Sequence, residues 1–405
     1  MIDMLTYNQK RLLGLIALLA STVAIGIFLF LLFTGAPLIV EEEVIVSEDE
    51  VTTGGLTGAQ EAGDRAVGEE DEVEGLPSAI ATGAETFTQQ LTSSAVVSPT
   101  MIDGTGIAFY NPIDGRFYTI DESGELVAMS LAQFPDAETV VFADTADVVA
   151  IEFPDGSNII YDFETETQTT LPSHWEEFDF SSDGEEVASK SITSDPMQNS
   201  LVVTSTDGSK TQVLTPLGTN DDKVTVNWST NNNVVGFSET GGSSLGFGRY
   251  EIYIIGSDGE ESGNLIIEGG GFSALWSPTS STILYSAAWT ANNDRPSLWI
   301  VDGTGDIGSN RENLGVETWV EKCTFKSDST IICAVPNSVT NGSGLDHRLI
   351  DSDDSLYEIN INTGFISLLG FPALDMQMSN LYISDDDSVL YFTDEYGRLN
   401  YMRLE

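Results

Sequence analysis

Phe272-Ser-Ala-Leu-Trp-Ser-Pro-Thr-Ser-Ser-Thr-Ile-Leu-Tyr-Ser286, followed a few residues on by Ser297-Leu-Trp-Ile-Val-Asp-Gly303, decides the fold of this chain. Apolar and polar residues alternate up to an aromatic-Ser pair, and a polar turn follows. A second apolar run, a longer loop and a third run ending in Asp-Gly complete the unit. Alternation with period two, punctuated by Ser, Asp, Asn and Gly, is the pattern of short strands joined by turns. A fourth, shorter strand is expected after Gly303.

The same grammar recurs on both sides. Phe178–Ala188 precedes Leu201–Gly208, and Val226–Phe237 precedes Glu251–Gly259. Lys322–Cys333 precedes Leu356–Gly364, and Leu381–Phe392 precedes Arg398–Leu404. Weaker copies begin at Val97 and Thr139. Seven units at roughly 40–55 residues each have the period of propeller blades. A four-stranded antiparallel sheet cannot bury both of its faces alone, and radial stacking does so. The expectation is an all-β, seven-bladed propeller over 86–405. Trp228 and Trp276 hold matching places, with Phe325 and Tyr382 as their counterparts, and the expected role of these rings is packing between blades. The last unit has three evident strands, so Thr86–Thr92 is expected to supply its outer one and join the two ends of the ring.

These units, an aromatic-Ser-x-Asp-Gly turn and then an apolar strand ending in Asp-Gly, resemble the WD-like repeats of TolB-type β-propellers over about residues 94–405. The resemblance implies a propeller fold and an interaction platform. It names no catalytic residue, because the motif consists of turn and packing positions.

Charge sets the next bound. The chain has 64 Asp plus Glu against 15 Lys plus Arg, a net of -49. Residues 76–405 alone hold 50 acids and 12 bases. With no basic stripe to displace counterions from phosphate, nucleic acid is excluded as a partner. A cationic protein, a cationic cell-wall polymer, divalent ions or plain solubility in salt all fit.

Leu12–Phe33 is an uncharged apolar run, preceded by Lys10-Arg11 and followed by Glu41-Glu42-Glu43. Such a run spans the ~30 Å hydrocarbon core of a bilayer. It is therefore expected to be a transmembrane signal anchor over 12–33, with 1–11 cytoplasmic and the remainder outside, by the positive-inside rule. Residues 34–85 contain no aromatic residue and are rich in Gly, Glu, Ala and Thr. They read as a disordered acidic linker.

Cys323 and Cys333 flank a tight turn at Lys326–Ser329 and are expected to oppose each other on neighbouring strands as a disulfide. Asp346, Asp351, Asp353 and Asp354 crowd one long loop and are the candidate calcium ligands, calcium being the one cofactor the sequence suggests. Asp385-Asp386-Asp387 is a weaker alternative. Gly242-Ser-Ser-Leu-Gly246 matches a nucleophile elbow around Ser244, but a strand rather than a helix is expected after it, and the only histidines are His174 and His347. Gly303–Gly308 matches a dinucleotide fingerprint by letter, with no helix expected to follow. No catalytic residue is assigned.

The long loops near Ser191–Asn199, Thr240–Arg249, Trp289–Arg295 and Pro336–Asp354 all join second and third strands. They are expected to gather on one face as the partner site of a membrane-anchored, extracytoplasmic binding or scaffolding module. A carboxylate-dependent hydrolase in the propeller channel and a structural surface-assembly protein are the alternatives.

Overall fold

The computed structural model describes residues 76–102, 106–121, 123–242 and 248–404. Among them the chain forms seven antiparallel sheets in sequence order. Blade 1 contains Val97–Met101, Ile107–Asn111, Arg116–Ile120 and Leu126–Ala128. Blade 2 contains Thr139–Phe142, Val148–Glu152, Asn158–Asp162 and Thr167–Leu171. Blade 3 runs through Trp175–Phe180, Glu186–Ser191, Ser200–Ser205 and Thr211–Pro216. Blade 4 takes Val224–Val226, Val234–Ser238, Arg249–Gly256 and Glu261–Glu268. Blade 5 takes Gly270–Trp276, Thr282–Trp289, Arg295–Asp302 and Glu312–Asn313. Blade 6 takes Cys323–Ser327, Thr330–Pro336, Asp354–Asn360 and Phe365–Pro372. Blade 7 takes Ser379–Ile383, Val389–Thr393 and Arg398–Arg403.

Blade 7 is completed from the other end of the fold. Thr88–Ala95 pairs antiparallel with Arg398–Arg403, with Thr88 opposite Met402 and Gln90 opposite Asn400. The expected closing strand is therefore present, shifted two to three residues along the chain. Just before it, Ala84–Thr86 pairs in parallel with the outer strand of blade 6, Glu85 opposite Phe371. Two adjacent blades are thus tied by one segment, and an open sheet edge is covered. The fold also begins earlier than the expected boundary at residue 86. Thr86 is fully buried, and the Ala81 N–H donates to the Arg403 carbonyl at 2.9 Å. Backbone hydrogen bonds to strand edges order this segment although it offers no aromatic side chain to a core.

The core lies between the blades. Each of the seven buried apolar clusters straddles two neighbours. Tyr110 and Phe117 of blade 1 meet Phe142 and Tyr161 of blade 2, and Val389 and Tyr391 of blade 7 meet Ile107 and Phe109 of blade 1. Second strands are covered on both sides, so Val148–Ile151 and Val389–Thr393 are buried residue after residue. That explains their continuous apolar runs. Trp276 packs with Phe237 and Ile254 of blade 4, and Phe325 with Leu284 of blade 5. Tyr382 packs between blades too, but at the other seam. Ile383 holds the position before the turn and joins the blade 6/7 cluster, and one residue of displacement on the strand turns Tyr382 to the opposite face, against the cluster of blades 7 and 1.

The recurring serine has a defined task. The hydroxyls of Ser181, Ser229, Ser277 and Ser384 accept the N–H five residues on, from Glu186, Val234, Thr282 and Val389, at 2.9–3.1 Å. Each closes the turn between the first and second strand of its blade. Turns of neighbouring blades are then stitched together about one repeat apart. Ser182 N–H donates to Asn232, Asn231 N–H to Ser280, and Thr279 N–H to Asp328. Cys323 and Cys333 are directly opposed and joined as a disulfide across the first two strands of blade 6. The expected membrane span at 12–33 lies outside the described residues, among which no helix is long and apolar enough to cross a bilayer.

Candidate binding face

Because strands alternate in direction, every loop from second to third strand and every crossing from one blade to the next emerges at the same end of the propeller. All four long loops open there. Those of blades 5 and 6 touch: Gly342 and Gly344 N–H groups of the blade 6 loop donate to the Asn293 and Asp294 carbonyls of the blade 5 loop, each at 2.9 Å. Arg295 Nε donates to Asn341 at 2.9 Å. Residues 243–247 of the blade 4 loop lie outside the described part, and Ser244 with them; the elements on either side are strands.

Among the described residues, this end carries apolar side chains that stand exposed. Ile113, Leu131, Met197, Leu345, Leu374 and Tyr396 sit on its loops, each between 63% and 84% exposed. The turns of the opposite end, such as Ser181–Gly184, Thr206–Gly208 and Ser384–Asp387, present Ser, Thr, Asp and Gly. Away from the long-loop end, exposed large apolar residues such as Leu126, Val213 and Phe365 lie on outer strands, and Leu76, Ile80 and Phe87 lie in the segment before the closing strand. Acids stand on both ends: Asp183, Asp207 and Asp386 on one, Asp136, Asp155, Asp351 and Asp375 on the other. Charge alone therefore marks neither face. Exposed apolar area does.

Within this face, blades 5 and 6 enclose a cleft of ≈ 280 Å³ lined by Gly271, Ser286, Trp319, Glu321, Leu345, Asp346, His347 and Arg348. Gly271 has φ +69°, and a Cβ there would stand 3.2 Å from the Leu345 Cα, so glycine lets the blade 6 loop close over the cleft. Trp319 Nε1 anchors that loop by donating to the Gly344 carbonyl at 2.9 Å. Burial holds the His347 imidazole below its usual pKa, with Glu321 pulling the other way.

The four aspartates proposed for calcium are not brought together as a ligand set. Asp346 takes Arg348 through a charged hydrogen bond at 2.8 Å, which holds its carboxyl at about 2. Asp354 is fully buried and ion-paired to Lys322, and its Oδ2 also accepts the Met378 N–H of blade 7 at 2.6 Å. Among the described residues no three His, Cys, Asp or Glu side chains stand close enough to hold a metal. Asp386 is occupied by Ser384 and Ser388, and Asp387 lies 3.8 Å from Lys326, so that trio caps a turn. Gly303–Gly308 is the turn between third and outer strands of blade 5.

The lumen holds what the sequence did not disclose. Asp179, on the inner strand of blade 3, accepts the Trp228 N–H of blade 4 at 2.6 Å. It is half-buried against the lumen wall, and the loss of water there, with Asp144 and Glu177 adding to it, pushes its carboxyl up to about 7. Asp144 also acts on Tyr382, which burial raises to about 12. Blades 2 and 7 are not neighbours, so this influence crosses the channel. Glu177, on the same strand, holds φ +59° at a bulge, accepts the Val226 N–H at 2.8 Å and pairs with Lys190. The sequence signal was the acid pair at Glu176-Glu177 and Asp179 inside a strand, where most acids fall in turns.

No family model matches this chain, and no curated protein does. Solved structures do. A chain of a mitotic checkpoint complex matches with TM-score 0.53 and 12% identity, over 87% of this chain and 99% of that one. An oligogalacturonate lyase in complex with manganese matches with TM-score 0.52 and 11% identity, over 78% and 93%. The propeller domain of the Trilobed protease from Pyrococcus furiosus, described as having an open velcro topology, matches with TM-score 0.50 and 11% identity, over 76% and 95%. These neighbours agree on architecture alone, and by architecture this chain is a seven-bladed β-propeller of four-stranded antiparallel blades.

Proposed function

We propose that this propeller is a binding module that docks a basic, partly apolar protein surface on its long-loop face. The observation that carries this reading is the concentration of uncovered apolar side chains, Ile113, Leu131, Met197, Leu345, Leu374 and Tyr396, on the loops of that one end. Apolar tips set in an acidic surround suit a partner that brings both apolar area and positive charge. The membrane anchor at 12–33 and an extracytoplasmic setting remain part of the proposal, as does the TolB-type likeness of the repeats. A photo-crosslinking residue at Met197 or Leu374 in the full chain should give a discrete heterologous adduct in cells. The same probe at Leu126 or Phe365, away from this face, should not. Adducts with a second copy of the chain from the long-loop face would favour the surface-assembly alternative, and equal adducts from both sets would overturn the reading.

A second reading is favoured by Asp179, a carboxylic acid poised near neutrality in the channel. It would be a hydrolase or lyase site of the kind some neighbours' names describe. Both oxygens of Asp179 already accept backbone N–H groups, from Phe180 and Trp228. That favours a tie between blades over a catalytic acid. Incubation with oligogalacturonides between pH 5 and 8 should leave them intact; turnover abolished by Asp179→Asn would reverse the assignment.

A further inference from the structure

Among the described residues, eight buried side-chain polar atoms find no hydrogen-bond partner, and two of them belong to residues that line the blade 5/6 cleft. One is the hydroxyl of Ser286, a residue only 1% exposed on the second strand of blade 5. The other is Oε2 of Glu321, on the crossing into blade 6. A buried carboxylate oxygen without a donor is costly, the more so when the group is charged. A buried hydroxyl lining the same cleft adds an acceptor and a donor with no described protein group to use them. The neighbouring Asp346, by contrast, already has Arg348.

We infer that this cleft receives a guanidinium group, the side chain of an arginine on the docked partner, with Glu321 as its counter-charge. A planar fork of N–H donors is what a carboxylate, a hydroxyl and a neutral imidazole can satisfy together. The indole of Trp319 lies against His347, with ring centroids 6.3 Å apart, and these rings form an aromatic wall beside the site. Glu321 also borders the channel pocket with Thr324 and Tyr382, so the charge sits where the cleft meets the lumen.

The charged groups around His347 are Glu321 and Lys322 on the blade 6 crossing and Asp346 and Arg348 on its own loop. Lys322 and Arg348 are each paired to a carboxylate, which leaves Glu321 as the acid open to a ligand. Protonating His347 would add a positive charge beside the bound guanidinium, so affinity should fall as pH drops below neutrality.

This inference rests on the long-loop face as the docking surface, yet it is testable without the partner. The probe is N-acetyl-arginine methylamide, with the isosteric, neutral citrulline compound as control. Binding to the full chain is followed by NMR in 1 M NaCl, where the screening length is ~3 Å and diffuse attraction to the acidic surface is suppressed. Saturable binding of the arginine compound is expected, at least tenfold tighter than citrulline. Glu321→Gln should weaken it at least tenfold and Ser286→Ala severalfold, with melting temperature retained, and affinity should decline from pH 7.5 to 5. Equal affinity for both compounds, or an unchanged Glu321→Gln protein, overturns the inference. A Leu131→Ser/Met197→Ser/Leu374→Ser chain tests the face separately. With the photo-crosslinking residue moved to Tyr396 on the same face, it should lose the crosslinked partner and keep arginine binding.

Discussion

In four of the seven blades a single serine hydroxyl closes the turn between the first and second strands. Ser229 accepts the N–H groups of Asn233 at 3.1 Å and Val234 at 2.9 Å, and it is 1% exposed. Ser229→Ala should therefore leave the buried Val234 N–H unmet, while Asn233 keeps Asn231 Oδ1, and cost about 1–3 kcal/mol, read as a lower denaturant midpoint at unchanged slope. The Lys322–Asp354 pair is a larger commitment. Removing one partner strands a buried charge, so Lys322→Ala should destabilise by about 3–5 kcal/mol. Lys322→Met with Asp354→Leu should recover part of that loss, though not the bond to the Met378 N–H. Asp179 gives a pH signature. A carboxyl raised to about 7 keeps its proton in the folded protein while the unfolded chain releases it near 3.8. Folding stability from this group is then greatest at low pH and falls as pH rises toward 7. Asp179→Asn should remove that decline, so the melting temperature of the variant relative to the parent should climb between pH 4 and 7.

At the scale of elements, closure and cross-linking are the two devices to test. Thr88–Ala95 supplies the outer strand of blade 7, and its Thr92 hydroxyl accepts the Leu399 N–H at 2.9 Å. Gln89→Pro or Gln90→Pro removes a backbone donor from this ladder. Whichever of the two N–H groups points to Arg398–Arg403, its loss should speed limited proteolysis of the closing segment and lower the melting temperature by several degrees. The disulfide closes a loop ten residues in sequence. On the chain-entropy account such a loop contributes about 2–3 kcal/mol, and reduction should lower stability by no more than that. Two short strands already hold Cys323 and Cys333 opposite each other, so the reduced protein should keep its fold, seen as unchanged far-UV circular dichroism.

For the whole molecule the dominant quantity is charge. Acids populate both ends of the propeller, while eight cations, Lys190, Arg249, Arg295, Arg311, Lys322, Lys326, Arg348 and Arg398, are paired with them. Self-repulsion is therefore spread over the surface, and salt should relieve it wherever it lies. Melting temperature should rise with NaCl and should match at equal ionic strength in CaCl2. A calcium-specific rise would restore the loop of Asp346, Asp351, Asp353 and Asp354 as an ion site by a rearrangement of that loop.

The architecture was legible in the amino-acid order, because blades repeat their turn chemistry. Aromatic-Ser, Asp-Gly and a two-residue alternation recur at one period, and each is a local consequence of hydrogen bonding and φ preference. Strand order, blade number, the closing strand and the opposition of Cys323 with Cys333 followed from that. The sites did not. Whether Asp354 meets a metal or Lys322, at which seam Tyr382 packs, and whether Glu321 finds a partner are settled by side chains far apart in sequence. Their separation in sequence is a loop length that no local pattern encodes. Burial then decides what those groups become: the same residue type is a turn cap near 2 at Asp386 and a near-neutral acid at Asp179. Only the closed ring takes much of the water from Asp179 while leaving Asp386 in solvent.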